Sequence, residues 1–408
     1  MSMEKYNKIH FIGIGGISMS SLAEILKSKG KTITGSDGVA SNVTKALENI
    51  GIQVSIGQKA ENITPDTDLI VYTAAVKEDN PELMAARASG IETVDRAALV
   101  GMMMLEYKFP LSVAGTHGKT TTSSLVTEIF LEANTNPTVS IGGILPSIKG
   151  NYKVGGEDYF ILETCEYCDS FLKFNPHGAI ILNIDADHLD YFKNLDNIYK
   201  SFNKFANRLP EGGFLVINNE IPRLSEVLEG VKAKVITYGK DNTADWYPTD
   251  VTFNDLGHAT YTVNHKGEKI AQVELSIPGM HNVYNSLSAF ALATCYGVAT
   301  EAIVKGIKNF TGTDRRFQFK GQFNGVNVID DYAHHPTEIQ ATINSARGTK
   351  LNKLWIMFQP HTYTRTYNHL DDFAKVLSEA DHVILLDIYA SREKDTGLVS
   401  SKDLRDKI

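Results

Sequence analysis

The ten residues LSVAGTHGKT, at positions 111–120, decide the fold of the middle of the chain. The apolar run 111–113 predicts a strand, which leads into a loop with two glycines. A helix should follow, because the apolar residues within 125–130 fall on one helical face. A strand, a glycine loop and a helix in this order turn successive backbone N–H groups towards one point, where they bind phosphate oxygens. The stretch therefore predicts a phosphate-binding loop in an α/β domain.

The polar residues of this loop have separate expected tasks. Lys119 would place a positive charge beside the phosphates, and the hydroxyl of Thr120 would ligate Mg²⁺. Only two residues separate the two glycines of this loop, fewer than in the phosphate loop of common nucleotide hydrolases. The spacing therefore disfavours that class of enzyme, although the loop could still bind phosphate in the same way. A glycine turn with a purely structural role is the alternative. The residues expected to surround a nucleotide are Gly115, Thr116, His117, Gly118, Lys119, Thr120 and Thr121.

A second glycine turn lies near the amino end. The apolar run 9–12 predicts a strand, followed by GIGGIS at 13–18 and by an amphipathic helix that Gly30 would end. The pattern suits a nucleotide diphosphate as well as NAD, since a serine replaces the third glycine of the dinucleotide fingerprint. A tight structural turn is the third interpretation. The residues expected to bind this ligand are Gly13, Gly15, Gly16, Ser18 and, after the next strand, Asp37.

The apolar runs divide the 408 residues into three consecutive α/β domains. The expected spans are 1–106, 107–312 and 313–408. Strands alternate with helical patterns in each, with later strands expected at 159–162, 179–184, 214–217, 326–329, 354–358 and 383–387. An antiparallel hairpin is expected at 260–263 and 271–277, around a glycine turn.

Composition narrows the classes of function. Forty basic and 48 acidic residues give a net charge of −8, which argues against a nucleic-acid or membrane-surface binder. No apolar run reaches the roughly 18 residues of a membrane span, and the amino end lacks a signal-peptide core. Three cysteines make no disulfide framework, so a cytoplasmic protein is expected. Cys165 and Cys168 are spaced like a metal or redox pair, but the only other cysteine is Cys295. The lack of a second pair disfavours a zinc or redox site.

Beyond the two turns, the chain carries a series of motifs. They are GIGGISM at 13–19, GSD at 35–37, GTHGKTTT at 115–122, ETCEYCDSF at 163–171, NIDADH at 183–188, GMHNVYN at 279–285, RRF at 315–317, DDYAHHP at 330–336 and QPHTYTRT at 359–366. With these motifs the chain resembles the Mur ligases, cytoplasmic ATP-dependent enzymes that add amino acids to the UDP-linked precursor of peptidoglycan. The resemblance runs from residue 8 to the end, and it is closest to the member that adds L-alanine to UDP-N-acetylmuramate.

The resemblance implies a Rossmann-like first domain that binds the UDP-sugar, a central P-loop-type ATPase domain that binds ATP and Mg²⁺, and a Rossmann-like third domain. ATP would convert the lactyl carboxylate of UDP-N-acetylmuramate into an acyl phosphate, which the amine of L-alanine attacks. A ligase for recycled murein tripeptide, a non-catalytic nucleotide sensor and a nicotinamide-dependent oxidoreductase are the alternatives. The implied enzyme is a monomer or a homodimer, with no nucleic-acid or membrane partner.

The resemblance also implies roles for single residues around the nucleotide. Lys119 would hold the β- and γ-phosphates, and the implied magnesium ligands are Thr120, Glu163 and His188. The other nucleotide contacts would come from Asn282 at the adenine edge with Asn285 on the adjacent helical turn, from Arg316 or its neighbour Arg315 at the γ-phosphate, and from Asp330 or Asp331 at the ribose. Capping of the helix N-terminus is the second interpretation of the two asparagines. His188 has a second interpretation as a helix-capping or packed histidine, because Mg²⁺ prefers oxygen ligands.

The remaining implied residues belong to the substrates. Tyr332, His334, His361 and Arg365 would face the substrate carboxylates and L-alanine, and the implied catalytic residues are Lys119, His188, Arg316, His334 and Arg365. Some family members have arginine where this chain has Thr362, which removes one cationic contact. Sister ligases carry a carbamylated lysine, for which Lys200 and Lys204 are the candidates. The chain ends inside an apparent helix start, so an incomplete third domain is expected.

Overall fold

The computed structural model describes residues 3–391, 393–395 and 397–408. The first domain contains a five-stranded parallel sheet in the order β3-β2-β1-β4-β5. Because β1 stands where the strand order reverses, the glycine turn after it opens at the point where such sheets bind ligands. The elements are β1 (Lys8–Ile12), α1 (Ile17–Ser28), β2 (Thr32–Asp37), α2 (Asn42–Asn49), β3 (Gln53–Ile56), β4 (Leu69–Tyr72), α3 (Pro81–Ala88), β5 (Glu92–Asp95) and α4 (Arg96–Met104).

The second domain is built on a ten-stranded mixed sheet. Its elements are β6 (Phe109–Ala114), α5 (Lys119–Glu132), β7 (Thr138–Leu145), β8 (Gly150–Lys153), β9 (Tyr159–Glu163), β10 (Gly178–Ile181), α6 (Leu189–Phe192), α7 (Leu195–Ala206), β11 (Phe214–Asn218), α8 (Leu224–Leu228), β12 (Lys234–Tyr238), β13 (Trp246–Phe253), β14 (His258–His265), β15 (Glu268–Pro278), α9 (Met280–Cys295) and α10 (Thr300–Asn309). The order is β15-β14-β13-β12-β11-β10-β6-β9-β7-β8. The phosphate loop therefore leaves a central strand, with parallel neighbours on both sides. The predicted hairpin is confirmed as β14 and β15.

One strand of this sheet is shorter than predicted. The sequence predicts a strand over 179–184, whereas β10 ends at Ile181. Asn183 leaves the strand because its side chain brackets the phosphate loop. Its Oδ1 accepts from the His117 N–H at 2.8 Å, and its Nδ2 donates to the His117 carbonyl at 3.0 Å.

The third domain contains β16 (Gln318–Phe323), β17 (Val326–Asp330), α11 (Pro336–Arg347), β18 (Trp355–Phe358), α12 (Tyr363–Asn368), α13 (Leu370–Leu377), β19 (His382–Leu385) and α14 (Ser401–Arg405). All three predicted strands form. Two of them, β18 and β19, are parallel neighbours, as a Rossmann-like sheet requires. The third, β17, instead pairs antiparallel with β16, which the sequence analysis did not predict.

The apolar cores show how the domains are joined. One buried apolar cluster extends from the first domain to one face of the second domain's sheet. A second cluster lies on the other face of that sheet. The third domain has a smaller, separate core around Ile339, Ile343, Phe358, Phe373 and Leu404. Polar side chains from the second and third domains meet beside the phosphate loop, as described below. No helix in the described ranges is both long enough and apolar enough to cross a bilayer.

Candidate active site

The glycine turn of the first domain borders an open cavity of about 780 Å³. The Gly15 N–H donates to Asp37 Oδ2 at 2.9 Å, so the carboxylate at the end of β2 faces the turn. A Cβ on Gly15 would lie 2.8 Å from that oxygen, which makes the glycine a steric requirement of the close approach. Ser18 lies exposed in the first turn of α1, outside the cavity lining. The lining residues are Gly13, Gly15, Gly16, Asp37, Val39, Ser41, Gln58, Thr73, Ala75, Val76, Lys77, Asp79, Asn80 and Pro81.

A buried polar cluster braces this turn from below. Glu82 is fully buried; its Oε1 lies 2.7 Å from His10 Nε2, and its Oε2 accepts from Ser36 Oγ at 2.7 Å. The Ser36 carbonyl in turn accepts from the N–H groups of Gly13 and Ile14. The sequence analysis missed this cluster, although a histidine inside an otherwise apolar strand was a visible signal.

The phosphate loop closes on its own lysine. Gly118 has a φ of +84°, and α5 begins at the next residue. Lys119 Nζ donates to the carbonyls of Gly115 at 2.6 Å and of Thr116 at 3.0 Å, and it lies 3.2 Å from Glu166 Oε2. Phosphate oxygens reaching Nζ would therefore replace carbonyl oxygens that already solvate it.

The ion pair of Lys119 with Glu166 keeps the loop charged. Glu166 is only 2% exposed, and the sequence analysis assigned it no role. Burial, the largest single influence, would lower the pKa of Lys119, but the negative charge of Glu166 and smaller contributions from other neighbouring groups together outweigh burial and raise the pKa above its ordinary value. The lysine is thus a permanent cation at the start of α5, where backbone N–H groups also favour anions.

Strand β7 brings two of the implied magnesium ligands together. The Gly142 N–H donates to Glu163 Oε2 at 2.9 Å, and a Cβ on Gly143 would lie 2.8 Å from Thr120 Cγ2. The two adjacent glycines thus let the strand approach both side chains. A hydroxyl and a carboxylate on one side of the phosphate loop form an oxygen donor set that fits Mg²⁺.

His188 has different surroundings. It stands at the N-cap of α6 with a φ of +53°, and no side-chain capping bond is present there. Its ring packs against Tyr167 with centroids 4.7 Å apart, and its Nε2 lies 3.7 Å from Asp187 Oδ2. The contacts described for His188 are those of a packed histidine, and its role as a magnesium ligand remains a prediction.

His117 of the phosphate loop lies between two carboxylates from different domains. Its Nε2 is 3.2 Å from Asp185 Oδ2 of the second domain, and its Nδ1 is 3.3 Å from Glu338 Oε1 of the third. Burial would lower the pKa of His117, but the hydrogen bonds to Asp185 and Glu338 raise it to about 9. The ring is therefore an imidazolium at neutral pH. The sequence analysis predicted only a nucleotide contact here.

His117, Asp185 and His335 bring three potential ligand atoms within 4.8 Å of one another. Two observations favour a proton over a metal ion at this place. Both ring nitrogens of His117 already face carboxylates, and the Nδ1 of His335 accepts from the Thr337 N–H at 3.3 Å. A neutral His335 therefore carries its proton on Nε2, which leaves that nitrogen no lone pair for a metal. The imidazolium of His117 fills the role a cation would have.

Arg365 joins the third domain to the second. Its Nε and Nη2 donate to Asp187 Oδ1 at 3.3 and 3.1 Å, and its Nη1 donates to the His361 carbonyl at 2.9 Å. Burial would raise the pKa of Asp187, but the charges of His188 and Arg365 lower it to about 2. The guanidinium predicted to face the substrate carboxylates and L-alanine is thus bonded to an internal carboxylate, a partner that the sequence did not indicate.

The other predicted substrate contacts of the third domain lie near one another. The ring of His334 is 5.1 Å from that of Tyr332 and 5.9 Å from that of His361. Burial lowers the pKa values of both histidines, so they are neutral at neutral pH. The Arg316 guanidinium lies over the Tyr332 ring at 5.7 Å. These side chains form one aromatic and basic cluster.

The two aspartates at the end of β17 differ in their contacts. The Asp331 carboxylate accepts from the Phe317 N–H and the Ala333 N–H, both at 2.7 Å. This pattern makes Asp331 an organiser of the adjacent loop. Asp330 is the last residue of β17, where its backbone pairs with Gln318. Of the two alternatives for a ribose contact, Asp330 is the one whose carboxylate is not committed to that loop.

The asparagines of α9 are buried. Asn282 Nδ2 donates to the Pro278 carbonyl at 2.7 Å, and Asn285 Nδ2 donates to Asn282 Oδ1 at 2.9 Å. Asn285 Oδ1 is 3.0 Å from the position of a Cβ on Gly118, so this helix touches the phosphate loop. Gly279 occupies the N-cap with no side-chain capping bond, so the capping alternative is not what the structure shows.

The three cysteines and the two candidate lysines differ in burial. Burial raises the pKa of Cys165 to about 11, so this thiol beside the phosphate loop is unreactive at neutral pH. Cys168 is exposed, and Cys295 is half-buried on α9. Lys200 and Lys204 are both exposed on α7, and the modification of either remains a prediction.

Comparisons with known proteins identify the family. Three family models match in order: "Mur ligase family, catalytic domain" at residues 8–108, "Mur ligase middle domain" at 113–293 and "Mur ligase, glutamate ligase domain" at 315–408. The UDP-N-acetylmuramate–L-alanine ligase of Agathobacter rectalis is 54% identical over 98% of this chain and 87% of its own length. The chain belongs to the Mur ligase family. It is an enzyme of an ATP-dependent ligase class, as the sequence analysis expected.

Other members of the Mur ligase family show the same coverage. The UDP-N-acetylmuramate–L-alanine ligase of Caldanaerobacter subterraneus subsp. tengcongensis is 49% identical over all of this chain and 88% of its own length. Among solved structures, the UDP-N-acetylmuramate-alanine ligase of Thermotoga maritima has a TM-score of 0.80 at 30% identity, covering 98% of this chain and 87% of its own. The murein peptide ligase of Psychrobacter arcticus has a TM-score of 0.73 at 26% identity, with coverage of 98% and 88%.

Proposed function

We propose that this Mur ligase joins L-alanine to UDP-N-acetylmuramate at the expense of ATP, in the cytoplasmic synthesis of peptidoglycan precursor. The observation that carries the proposal is the 54% identity to the Agathobacter rectalis ligase over 98% of the chain. The geometry supports it, because the first domain has an open cavity beside its glycine turn and the second domain has a separate phosphate loop. Side chains of the third domain contact the second domain beside that loop, Glu338 at His117 and Arg365 at Asp187.

The first domain would hold UDP-N-acetylmuramate in the cavity beside Gly13, Gly15 and Gly16. The turn is preformed, because Asp37 and the buried Glu82 cluster fix it without a ligand. Close approach of a diphosphate to a backbone without Cβ atoms is what such a turn permits. Asp37 is placed to accept from a hydroxyl or a base of the nucleotide.

The second domain would hold ATP on the phosphate loop. Lys119 supplies a permanent positive charge for the β- and γ-phosphates, and Asn285 packs on Gly118 below them. Thr120 and Glu163 would hold Mg²⁺, which neutralises phosphate charge when bound. Phosphoryl transfer depends mainly on positioning and charge neutralisation, and these residues provide both.

The third domain would complete the amide-forming step. The lactyl carboxylate attacks the γ-phosphate and displaces ADP to give an acyl phosphate, and the amine of L-alanine then displaces inorganic phosphate from its carbonyl carbon to form the amide. Arg316 lies on the same cluster as Tyr332 and His334, from which a planar guanidinium would reach a phosphate. A neutral histidine accepts a proton from the ammonium of L-alanine, and His334 and His361 are both neutral.

The test is phosphate release from ATP and Mg²⁺ with UDP-N-acetylmuramate and a panel of acceptors. L-alanine, glycine, L-serine and the murein tripeptide are compared at matched concentrations, and the product is identified by mass. Release that needs both the sugar nucleotide and L-alanine supports the proposal. A preference for the tripeptide would instead assign the murein peptide ligase reaction, which the similarity to the Psychrobacter arcticus enzyme keeps in view. Release without the sugar nucleotide would contradict both.

A further inference from the structure

Glu338 makes two separate connections with its two carboxylate oxygens. It is the third residue of α11, and its side chain is 14% exposed. Oε2 accepts from the His334 N–H at 3.0 Å and lies 3.4 Å from Nδ1 of the same residue. Oε1 lies 3.3 Å from Nδ1 of His117 on the phosphate loop. One rigid carboxylate therefore touches both the nucleotide loop and the histidine that faces the substrates.

Helix capping accounts for only one of these connections. A glutamate at the third helical position often reaches back to a backbone N–H before the helix, as Oε2 of Glu338 does with His334. The N-cap residue His335 already satisfies the Thr337 N–H through its side chain. Capping does not require Oε1 to contact a side chain of another domain 221 residues away in sequence.

The second connection is held by charge. Burial would raise the pKa of Glu338, but its bond to His117 and the nearby charges hold it well below the ordinary range. Asp185 faces the opposite nitrogen of His117, and the Thr337 hydroxyl donates to the same Asp185 oxygen at 2.9 Å. An imidazolium between two carboxylates of different domains makes charge-assisted hydrogen bonds to both, which are stronger than neutral ones.

We propose that Glu338 is a positioning residue that docks the third domain on the phosphate loop through His117 and, with its other oxygen, holds His334 in place at the substrates. This inference rests on the proposed function, because it assumes that His334 faces the reacting groups. The third domain would then hold His334 in a fixed position relative to the phosphate loop, which binds the γ-phosphate. Without the carboxylate charge, the ligands would still bind but the reacting groups would be less well aligned.

The test variant is Glu338→Gln. A glutamine at this position keeps an amide oxygen for the His334 N–H, so the helix cap survives, while the charge facing His117 is lost. The matched control is Glu379→Gln, which removes an exposed carboxylate of the same domain that accepts from Gln340 Nε2 at 2.7 Å. Thermal unfolding of the control should match that of the unsubstituted enzyme, whereas Glu338→Gln should unfold at a modestly lower temperature at neutral pH, because a lower pKa of His117 removes part of the stability that its protonation gives.

Three readouts separate positioning from capping. In Glu338→Gln we expect kcat to fall about tenfold, because a lost charge-assisted bond is of that order. The dissociation constants of ATP and UDP-N-acetylmuramate, measured separately by calorimetry, should change less than about twofold. The pKa of His117, followed by NMR without substrates, should fall by more than one unit, with Asp185 still facing the ring and the neighbouring His335 neutral. The control should change none of these.

A double-mutant cycle with His117→Asn completes the test. If the two side chains act as one connection, the double variant should be no slower than the slower single variant. A kcat for Glu338→Gln within twofold of the unsubstituted enzyme, an unchanged pKa of His117, or additive losses would overturn the proposal. If the unsubstituted enzyme ligates none of the acceptors, the proposed function fails, whereas the NMR titration still decides whether Glu338 docks on His117.

Discussion

The two glycine turns have the same local plan and opposite surroundings. Each leaves the carboxyl end of a parallel strand and leads into a helix, α1 in the first domain and α5 in the second. The first turn opens on a cavity of about 780 Å³, and its Asp37 accepts from the backbone N–H groups of Gly15 and Val39. The second turn is filled by its own Lys119, which bonds to two loop carbonyls and pairs with Glu166.

This difference shows that one motif can be prepared for binding in two ways. The first turn presents glycine backbone to an open cavity, so a ligand can approach it closely. In the second turn the ammonium group of Lys119 is bonded to two loop carbonyls and to the Glu166 carboxylate, so an incoming phosphate must displace these oxygens from it. Binding at the first site should therefore depend on shape, and binding at the second on charge.

The largest expected effect comes from removing the positive charge of Lys119. In Lys119→Ala, ligation should fall by at least about 100-fold, since a preorganised charge at a reacting phosphate is worth that much or more. The dissociation constant of UDP-N-acetylmuramate should stay within about twofold, because its site lies in the first domain. Steady-state kinetics and calorimetry measure the two quantities.

A loss of folding would imitate this result, because Glu166 would be left buried without its partner. The combined variant Lys119→Met with Glu166→Gln removes both charges and should fold normally, yet remain inactive. The control is Lys269→Ala, which should keep full activity, because Lys269 is an exposed residue of β15 that pairs with the exposed Asp250. An active combined variant would show that the two turns do not differ in their need for charge.

The next effect tests the shape of the first turn. Gly15→Ala places a Cβ 2.8 Å from Asp37 Oδ2, so the carboxylate must move and the bond from the residue 15 N–H is strained. We expect UDP-N-acetylmuramate to bind about tenfold more weakly, while ATP affinity is unchanged. Gly38→Ala, with nothing within 4 Å of its new Cβ, is the matched control. Equal weakening of both ligands would show that the two sites are not independent.

The last expected effect is a pH dependence of stability that comes from the second turn. The pKa of His117 rises from an ordinary 6.5 to about 9 on folding. A raised pKa stabilises the folded state fully below pH 6.5, and this contribution disappears as the pH rises through 9. The contribution is at most about 3 kcal/mol. Apparent thermal unfolding from pH 6 to 9.5 should therefore fall more steeply for the unsubstituted enzyme than for His117→Asn, and parallel curves would contradict this assignment.

Much of the fold was predictable because it depends on local patterns. The strands before both glycine turns, the helices after them and the β14–β15 hairpin follow from apolar periodicity and glycine positions. Strand β16 and its antiparallel pairing with the predicted β17 were missed, because β16 is largely exposed and leaves a weak apolar signal. The early end of β10 was also missed. The Asn183 side chain, just beyond the strand, bonds to the His117 backbone in the phosphate loop, and no local pattern predicts a contact between residues so far apart in sequence.

Local patterns predict the residue types of the site: a lysine and a threonine after two glycines, a carboxylate at the end of β2, and histidines and arginines in the third domain. Which of these charges meet depends on how the domains pack. Glu166 faces Lys119, Glu338 faces His117, and Asp187 holds Arg365. The physical reason is that such pairs form between side chains distant in sequence, so their partners are fixed by how strands and domains pack and not by any local pattern.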